Sequence, residues 1–300
     1  MIVKRTLWSP AMTTNRSSGV AAPPEPFDLY DQGLQADVAA LIDRRHVLQL
    51  MGLAGVGAFL AACAPGAISS ATASAAAATA AAASDAAAAC APVIPEETAG
   101  PFPGDGTNGP DVLTGSGVVR SDITTSFGAS SGTAEGVPLT IRLLIQDEGN
   151  ACEPLAGAAV YIWHCDREGR YSLYSQGAED QNYLRGVQAA GDDGMVTFTS
   201  IFPACYSGRW PHIHFEVYPT LTAAADAGNR IATSQVALPQ DSCEQVYGQA
   251  GYEQSVSNLQ QVSLTSDGVF GDDGGAHQLG TISGSVADGL TVELAVPVNA

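Results

Sequence analysis

Lysine is nearly missing from this chain: Lys4 is the only one in 300 residues, and Lys4, Arg5, Arg16, Arg44 and Arg45 all precede Cys63. With 12 basic against 31 acidic residues and a formal net charge of −19, the chain lacks the cationic surface that nucleic acid or anionic lipid would need. Such acidity serves solubility and identifies no substrate. No C-x-x-C pair occurs, which argues against a cysteine metal site. Long apolar runs are missing too. The run from Val47 to Ala62 contains Gln49 and several glycines and is too short to span a bilayer comfortably. Helical periodicity is scarce, and in the C-terminal two-thirds only the stretch around Cys243 to Ala250 reads as a helix.

The N-terminal third does not read as folded protein. Arg44-Arg45 opens an apolar run that closes on Leu60-Ala61-Ala62-Cys63. Paired arginines, an apolar region and small residues before a cysteine describe an export signal. The arginine pair resembles a twin-arginine signal, and the closing tetrapeptide resembles a lipobox whose cysteine is acylated. Residues 1–62 are therefore expected to be a lipoprotein signal with an N-terminal extension. The alanine-rich tract that follows has no large apolar residue with which to build a core, so 63–92 is expected to be a tether from lipidated Cys63. The expected location is outside the cytoplasmic membrane, with membrane contact through the lipid alone. An oxidising compartment would allow two disulfides among Cys152, Cys165, Cys205 and Cys243, with Cys90 upstream, in a connectivity the sequence leaves open.

From 93 to 300 the signals are short strands between Gly, Pro, Asp and Asn clusters. Strands are expected at 137–145, 157–165, 195–201, 212–217, 230–238 and 290–296. Spacing of this kind predicts an all-β fold, an antiparallel β-sandwich with long loops and little helix. The fourth strand carries the sharpest pattern, Tyr206-Ser207-Gly208-Arg209-Trp210-Pro211-His212-Ile213-His214-Phe215. Alternation puts His212 and His214 on one face and Ile213, Phe215 and Val217 on the other. Neutral imidazole is a common metal ligand, and a strand-borne pair two residues apart reaches one ion without strain. A bare H-x-H is weak by itself. Tyr171 and Tyr206 sit where strands run out into loops, and phenolates beside imidazoles form a hard anionic set suited to ferric iron; singly, each tyrosine is an ordinary sheet-edge residue.

Taken together, Trp163-His164-Cys165-Asp166 through Gly169-Arg170-Tyr171, Tyr183-Leu184-Arg185-Gly186, Tyr206 through His214-Phe215, and Thr265-Ser266-Asp267-Gly268-Val269-Phe270 resemble the intradiol ring-cleavage dioxygenases. These are non-haem Fe(III) enzymes of the catechol and protocatechuate dioxygenase type. The resemblance runs from about Glu97 to the last strand and is nearest to small exported members. It implies Tyr171, Tyr206, His212 and His214 as ligands of Fe(3+), with Tyr206 the tyrosinate that leaves when substrate binds. It also implies Arg209 and Gln235 beside the ring of a catechol-type substrate, with O2 as co-substrate. The insertion Thr220 to Gly228 separates Gln235 from the histidines by more than the family pattern, and Trp210-Pro211 replaces the more familiar residues. A homodimer is compatible with the chain. His164 reads as structural, His277 as solvated, and Asp111, Arg120 and Asp122 as rim residues without assigned roles.

The competing reading is a non-catalytic exported β-sandwich lipoprotein that binds an aromatic or carbohydrate ligand. A cupin-like site is disfavoured, because Tyr218 and Pro219 stand where its glutamate would fall.

Overall fold

A computed structural model describes residues 91–300, so the export signal and nearly all of the tether lie outside the described residues. Nine strands form two sheets: β1 (Pro138–Asp147), β2 (Glu153–Pro154), β3 (Ala159–Trp163), β4 (Arg185–Ala189), β5 (Met195–Ile201), β6 (His212–Tyr218), β7 (Ala232–Ala237), β8 (Thr281–Ser285) and β9 (Gly289–Val298). One sheet runs β2-β1-β9-β8, with β5 also paired to β1; the other runs β4-β3-β6-β7.

Alternation explains both sheets. Along β1, Leu139, Ile141, Leu143 and Ile145 are buried and face inward, while Thr140 and Arg142 turn outward. Opposite them stand Val160, Ile162, Ile213, Phe215, Val217 and Val236, which complete one continuous apolar core. A large side chain there, such as Phe198 or Phe215, contributes about 1.5–3 kcal/mol by leaving water.

The second sheet is buried on its other face as well: all seven residues of β6 and all five of β3 are buried. Loops roof that outer face and pack Leu113, Val118, Tyr171 and Ala204 against Tyr161, Trp163 and Tyr218. His212, His214 and Glu216 alternate onto this roofed face, so the long loops serve to enclose a polar row of side chains.

The all-β sandwich read from the sequence is the observed architecture, with three differences in detail. The pair β1–β9 is parallel, because β9 rejoins its sheet by a long crossover that builds the second sheet and roof on the way. β4 and β8 escape sequence reading, since Arg185-Gly186-Val187-Gln188-Ala189 and Thr281-Ile282-Ser283-Gly284-Ser285 carry glycine and little alternation. The short helix appears as α1 (Gln240–Tyr247), and a second, α2 (Glu253–Leu259), follows it without an apolar stripe to announce it.

The expectation of two disulfides within the domain is corrected. Cys165, Cys205 and Cys243 are free and buried, and each thiol points at a main-chain carbonyl, of Ala204, Arg209 and Leu238 respectively. They act as small core side chains. Cys152 is disulfide-bonded, and its partner lies outside the described residues.

Candidate metal centre

β6 supplies both imidazoles. His212 Nδ1 lies 2.6 Å from the Trp210 carbonyl oxygen, which can only accept, so Nδ1 carries the proton and Nε2 offers a lone pair. That lone pair points at three other donor atoms. His214 Nε2 is 3.1 Å away, the Tyr206 hydroxyl 3.2 Å and the Tyr171 hydroxyl 3.4 Å.

Tyr171 is delivered by the loop after β3. Asp166 ties that loop together by accepting from the amides of Glu168 and Arg170 and from the Arg170 guanidinium, and Tyr171 N–H donates to Ser175 Oγ at 2.8 Å. Tyr206 stands in the short link from β5 to β6. There Gly208, at φ +81°, makes a tight turn that an L side chain would strain, and it brings Arg209 back beneath the site.

The buried Arg209 guanidinium is held by two side chains. Arg209 Nε donates to Asp267 Oδ2 at 3.0 Å and Nη2 to Gln235 Oε1 at 2.7 Å. Gln235 reaches the site despite the 220–228 insertion because β7 pairs with β6 in a register that sets Gln235 opposite His214. Gln235 Nε2 then donates to the Thr98 carbonyl at 3.0 Å, tying down the entry segment.

Burial holds both histidines neutral: with help from the Arg209 charge, it pulls His212 down to about 3, and with His212 and Arg209 it drives His214 well below its ordinary value. Burial first, and the Tyr206 hydroxyl next, push the Tyr171 phenol well above its usual range. Neutral imidazoles are what a metal requires, whereas two phenolates in this place need a cation to form at all.

The donor set fits a ferric ion. Bonds of about 2.0–2.1 Å to a shared ion place neighbouring donor atoms roughly 3 Å apart, and the separations of 3.1, 3.2 and 3.4 Å around His212 Nε2 match. Two phenol oxygens with two imidazole nitrogens are the hard, anionic donors that favour a trivalent metal. Among the described residues no group of three or more His, Cys, Asp or Glu is arranged to hold a metal, so the two histidines make a four-donor set only together with the tyrosines.

The remaining residues singled out in the sequence lie elsewhere. His164 is structural: Nδ1 donates to the Cys165 carbonyl at 2.8 Å, and Nε2 accepts from Ser200 Oγ at 2.7 Å. Burial lowers it to about 4, below the ordinary His value of about 6.5. The unfolded chain therefore binds a proton between roughly pH 6.5 and 4 that the folded chain refuses, and stability falls as pH falls through that window. His164→Gln should flatten the acid side of a stability-against-pH curve by up to one proton, about 1.4 kcal/mol per pH unit; an unchanged slope by urea unfolding would contradict this. His277 is exposed. Arg120 donates to the Arg185 and Asn182 carbonyls, while Asp111 and Asp122 cap Leu113 and Thr124 amides; these are loop fixtures.

Three residues at the site had no role in the sequence reading. Asp267 and Arg185 stood inside quoted motifs, and Trp163 lay at the end of a strand. Trp163 stacks on His214 at 4.8 Å with the rings 4° from parallel. Since His214 Nδ1 has no hydrogen-bond partner among the described residues, that stacking helps to orient its ring.

A family profile described as Dioxygenase matches residues 108–214. Over 53 residues the chain is 40% identical to a chlorocatechol 1,2-dioxygenase of Rhodococcus opacus, covering 18% of this chain and 21% of that relative. Over 75 residues it is 33% identical to a hydroxyquinol 1,2-dioxygenase of Rhizobium sp., covering 25% and 24%. The aligned stretches thus span less than a quarter of these curated relatives. In structure the chain is similar to an intradiol ring-cleavage dioxygenase from Tetranychus urticae, with 27% identity and a TM-score of 0.56 over 70% of this chain and 95% of that one.

Proposed function

We propose that this chain, which is similar in sequence and structure to intradiol ring-cleavage dioxygenases, cleaves a catechol-type ring between its two hydroxyl-bearing carbons. Both atoms of O2 enter the product, a cis,cis-muconate-type diacid, and no outside reductant is needed. The observation that carries this reading is the meeting of Tyr171, Tyr206 and His214 around His212 Nε2.

Tyr171, Tyr206, His212 and His214 would hold Fe(3+), and the ion would supply Lewis acidity toward a chelating catechol and draw electron density from its ring. The residues do the rest. Tyr206, the less buried of the two tyrosines, would be the ligand that gives way to the catechol; its oxygen would take up one of the two protons that the catechol must lose, and hydroxide would take the other. Tyr171, wedged against Phe102 at 5.1 Å between ring centres, stays in place. Arg209, 1% exposed, sets a fixed cation where negative charge develops on the ring, which stabilises the transition state more than the ground state. The roofing loops keep bulk water away from these charges and strengthen their effect.

The test is oxygen uptake by the iron-loaded protein with catechol, hydroxyquinol, protocatechuate and chlorinated catechols. Uptake of one O2 per diol, with both atoms of labelled oxygen in the product, is expected with at least one of them. Iron-replete protein that consumes no oxygen with any would overturn the reading and leave a binding protein on the same scaffold.

A further inference from the structure

Asp267 is nowhere near the histidines in sequence, yet four donors converge on its carboxylate beside the centre. It is 3% exposed and lies between α2 and β8. Its two oxygens divide four donors. Oδ1 accepts the amides of Val269 at 2.8 Å and Phe270 at 3.1 Å, which fix the carboxylate to its own loop. Oδ2 accepts Arg209 Nε at 3.0 Å and the amide of Trp210 at 2.6 Å.

Each contact of Oδ2 leads to a different part of the centre. Through Nε, the carboxylate takes one edge of the guanidinium and leaves Nη2 turned to Gln235. Through the Trp210 amide, it pins the peptide group whose residue also supplies the carbonyl that holds His212 Nδ1 at 2.6 Å. The Trp210 ring is pinned as well, its Nε1 donating to the Leu238 carbonyl at 2.8 Å. The ion pair is dry, with side chains 1% and 0% exposed, so neither partner is screened by solvent.

We propose that Asp267 is the positioning residue of the centre: one carboxylate aims the Arg209 guanidinium and, by way of Trp210, fixes the tautomer and angle of His212. It touches neither substrate nor iron. The proposal deepens the dioxygenase reading and rests on it. An asparagine is nearly the same shape but offers one accepting oxygen, so its amide group must confront either the Arg209–Trp210 donors or the Val269–Phe270 donors.

The two arms separate in a double-mutant cycle with Asp267→Asn, Arg209→Ala and the double variant. Two quantities are read: kcat, and ferric affinity from titration of the metal-free protein followed by its visible absorption. In the wild-type background, Asp267→Asn is expected to lower kcat about 100-fold, the size of a misplaced catalytic group. In the Arg209→Ala background the same change should lower kcat less than about threefold, because the group it aims is gone. Ferric affinity should fall about tenfold in both backgrounds, since the route through Trp210 to His212 does not pass through Arg209. Losses in kcat that simply add, or a ferric affinity that Asp267→Asn leaves unchanged, would overturn the proposal. Should the single Asn variant fail to fold around an unmatched cation, Arg209→Ala removes that cation, and the ferric comparison between Arg209→Ala and the double variant decides. A wild type that takes up no oxygen would fail the dioxygenase reading, while the ferric titration would still judge Asp267.

Discussion

Replacing His212 with alanine is expected to leave a folded, colourless protein with no measurable ring cleavage. His212 Nε2 has the other three donor atoms within 3.4 Å, so its removal opens the middle of the set. Loss of a group that merely supports a ligand costs about 10- to 100-fold in metal affinity or activity, and loss of the ligand itself should exceed the upper figure. The fold should survive, because His212 packs on the roofed face of β6, whereas Ile213, Phe215 and Val217 make the core. Iron content by mass spectrometry and far-ultraviolet circular dichroism separate these two effects. Iron retained at one per chain with activity within tenfold of wild type would contradict the assignment.

Arg185→Met should produce the largest loss of stability outside the apolar core. The guanidinium is 1% exposed and is enclosed by five neutral oxygens. Nε donates to Ser172 Oγ at 3.1 Å, Nη1 to the Pro103 carbonyl at 2.7 Å and the Tyr161 hydroxyl at 3.0 Å, and Nη2 to the Phe102 and Ser172 carbonyls at 2.9 and 3.0 Å. It thereby clamps the entry segment to the loop that presents Tyr171. The fit is close: at Gly104, with φ +66°, an added Cβ would lie 2.7 Å from Nη1. Methionine fills the space but strands these buried acceptors, each at a cost of about 1–3 kcal/mol. A combined loss of about 3–5 kcal/mol follows, or roughly 10 °C in Tm for a domain of this size. Because Phe102 and Ser172 flank Tyr171, kcat should also fall about 100-fold. Calorimetry of the iron-free protein checks the first effect; a shift below about 3 °C would refute the clamp.

How legible these features were depends on what each residue does. β1, β5 and β6 could be read because one face is apolar and the other is not, and alternation records that directly. The residues meeting at His212 Nε2 could be named because the segments that carry them resemble the intradiol ring-cleavage dioxygenases; taken singly, each tyrosine reads as an ordinary sheet-edge residue. Arg185 could not be read: a buried cation solvated by carbonyls leaves no pattern, since its partners are main-chain atoms of distant loops. Asp267 was hidden for a related reason, as three of its four donors are backbone amides. Trp163 looked like any strand aromatic until the register set it opposite His214. The cysteines misled because an oxidising compartment permits disulfides without requiring them, and three of these thiols point to carbonyls in the core.

The central claim is that two phenol oxygens and two imidazole nitrogens share one ferric ion. Titrating metal-free protein with Fe(3+) while recording the visible spectrum tests it most directly. A burgundy tyrosinate-to-iron band should grow to an end point of one iron per chain and weaken markedly in Tyr171→Phe. Iron bound at that stoichiometry without colour, or a band untouched by loss of the Tyr171 hydroxyl, would contradict it.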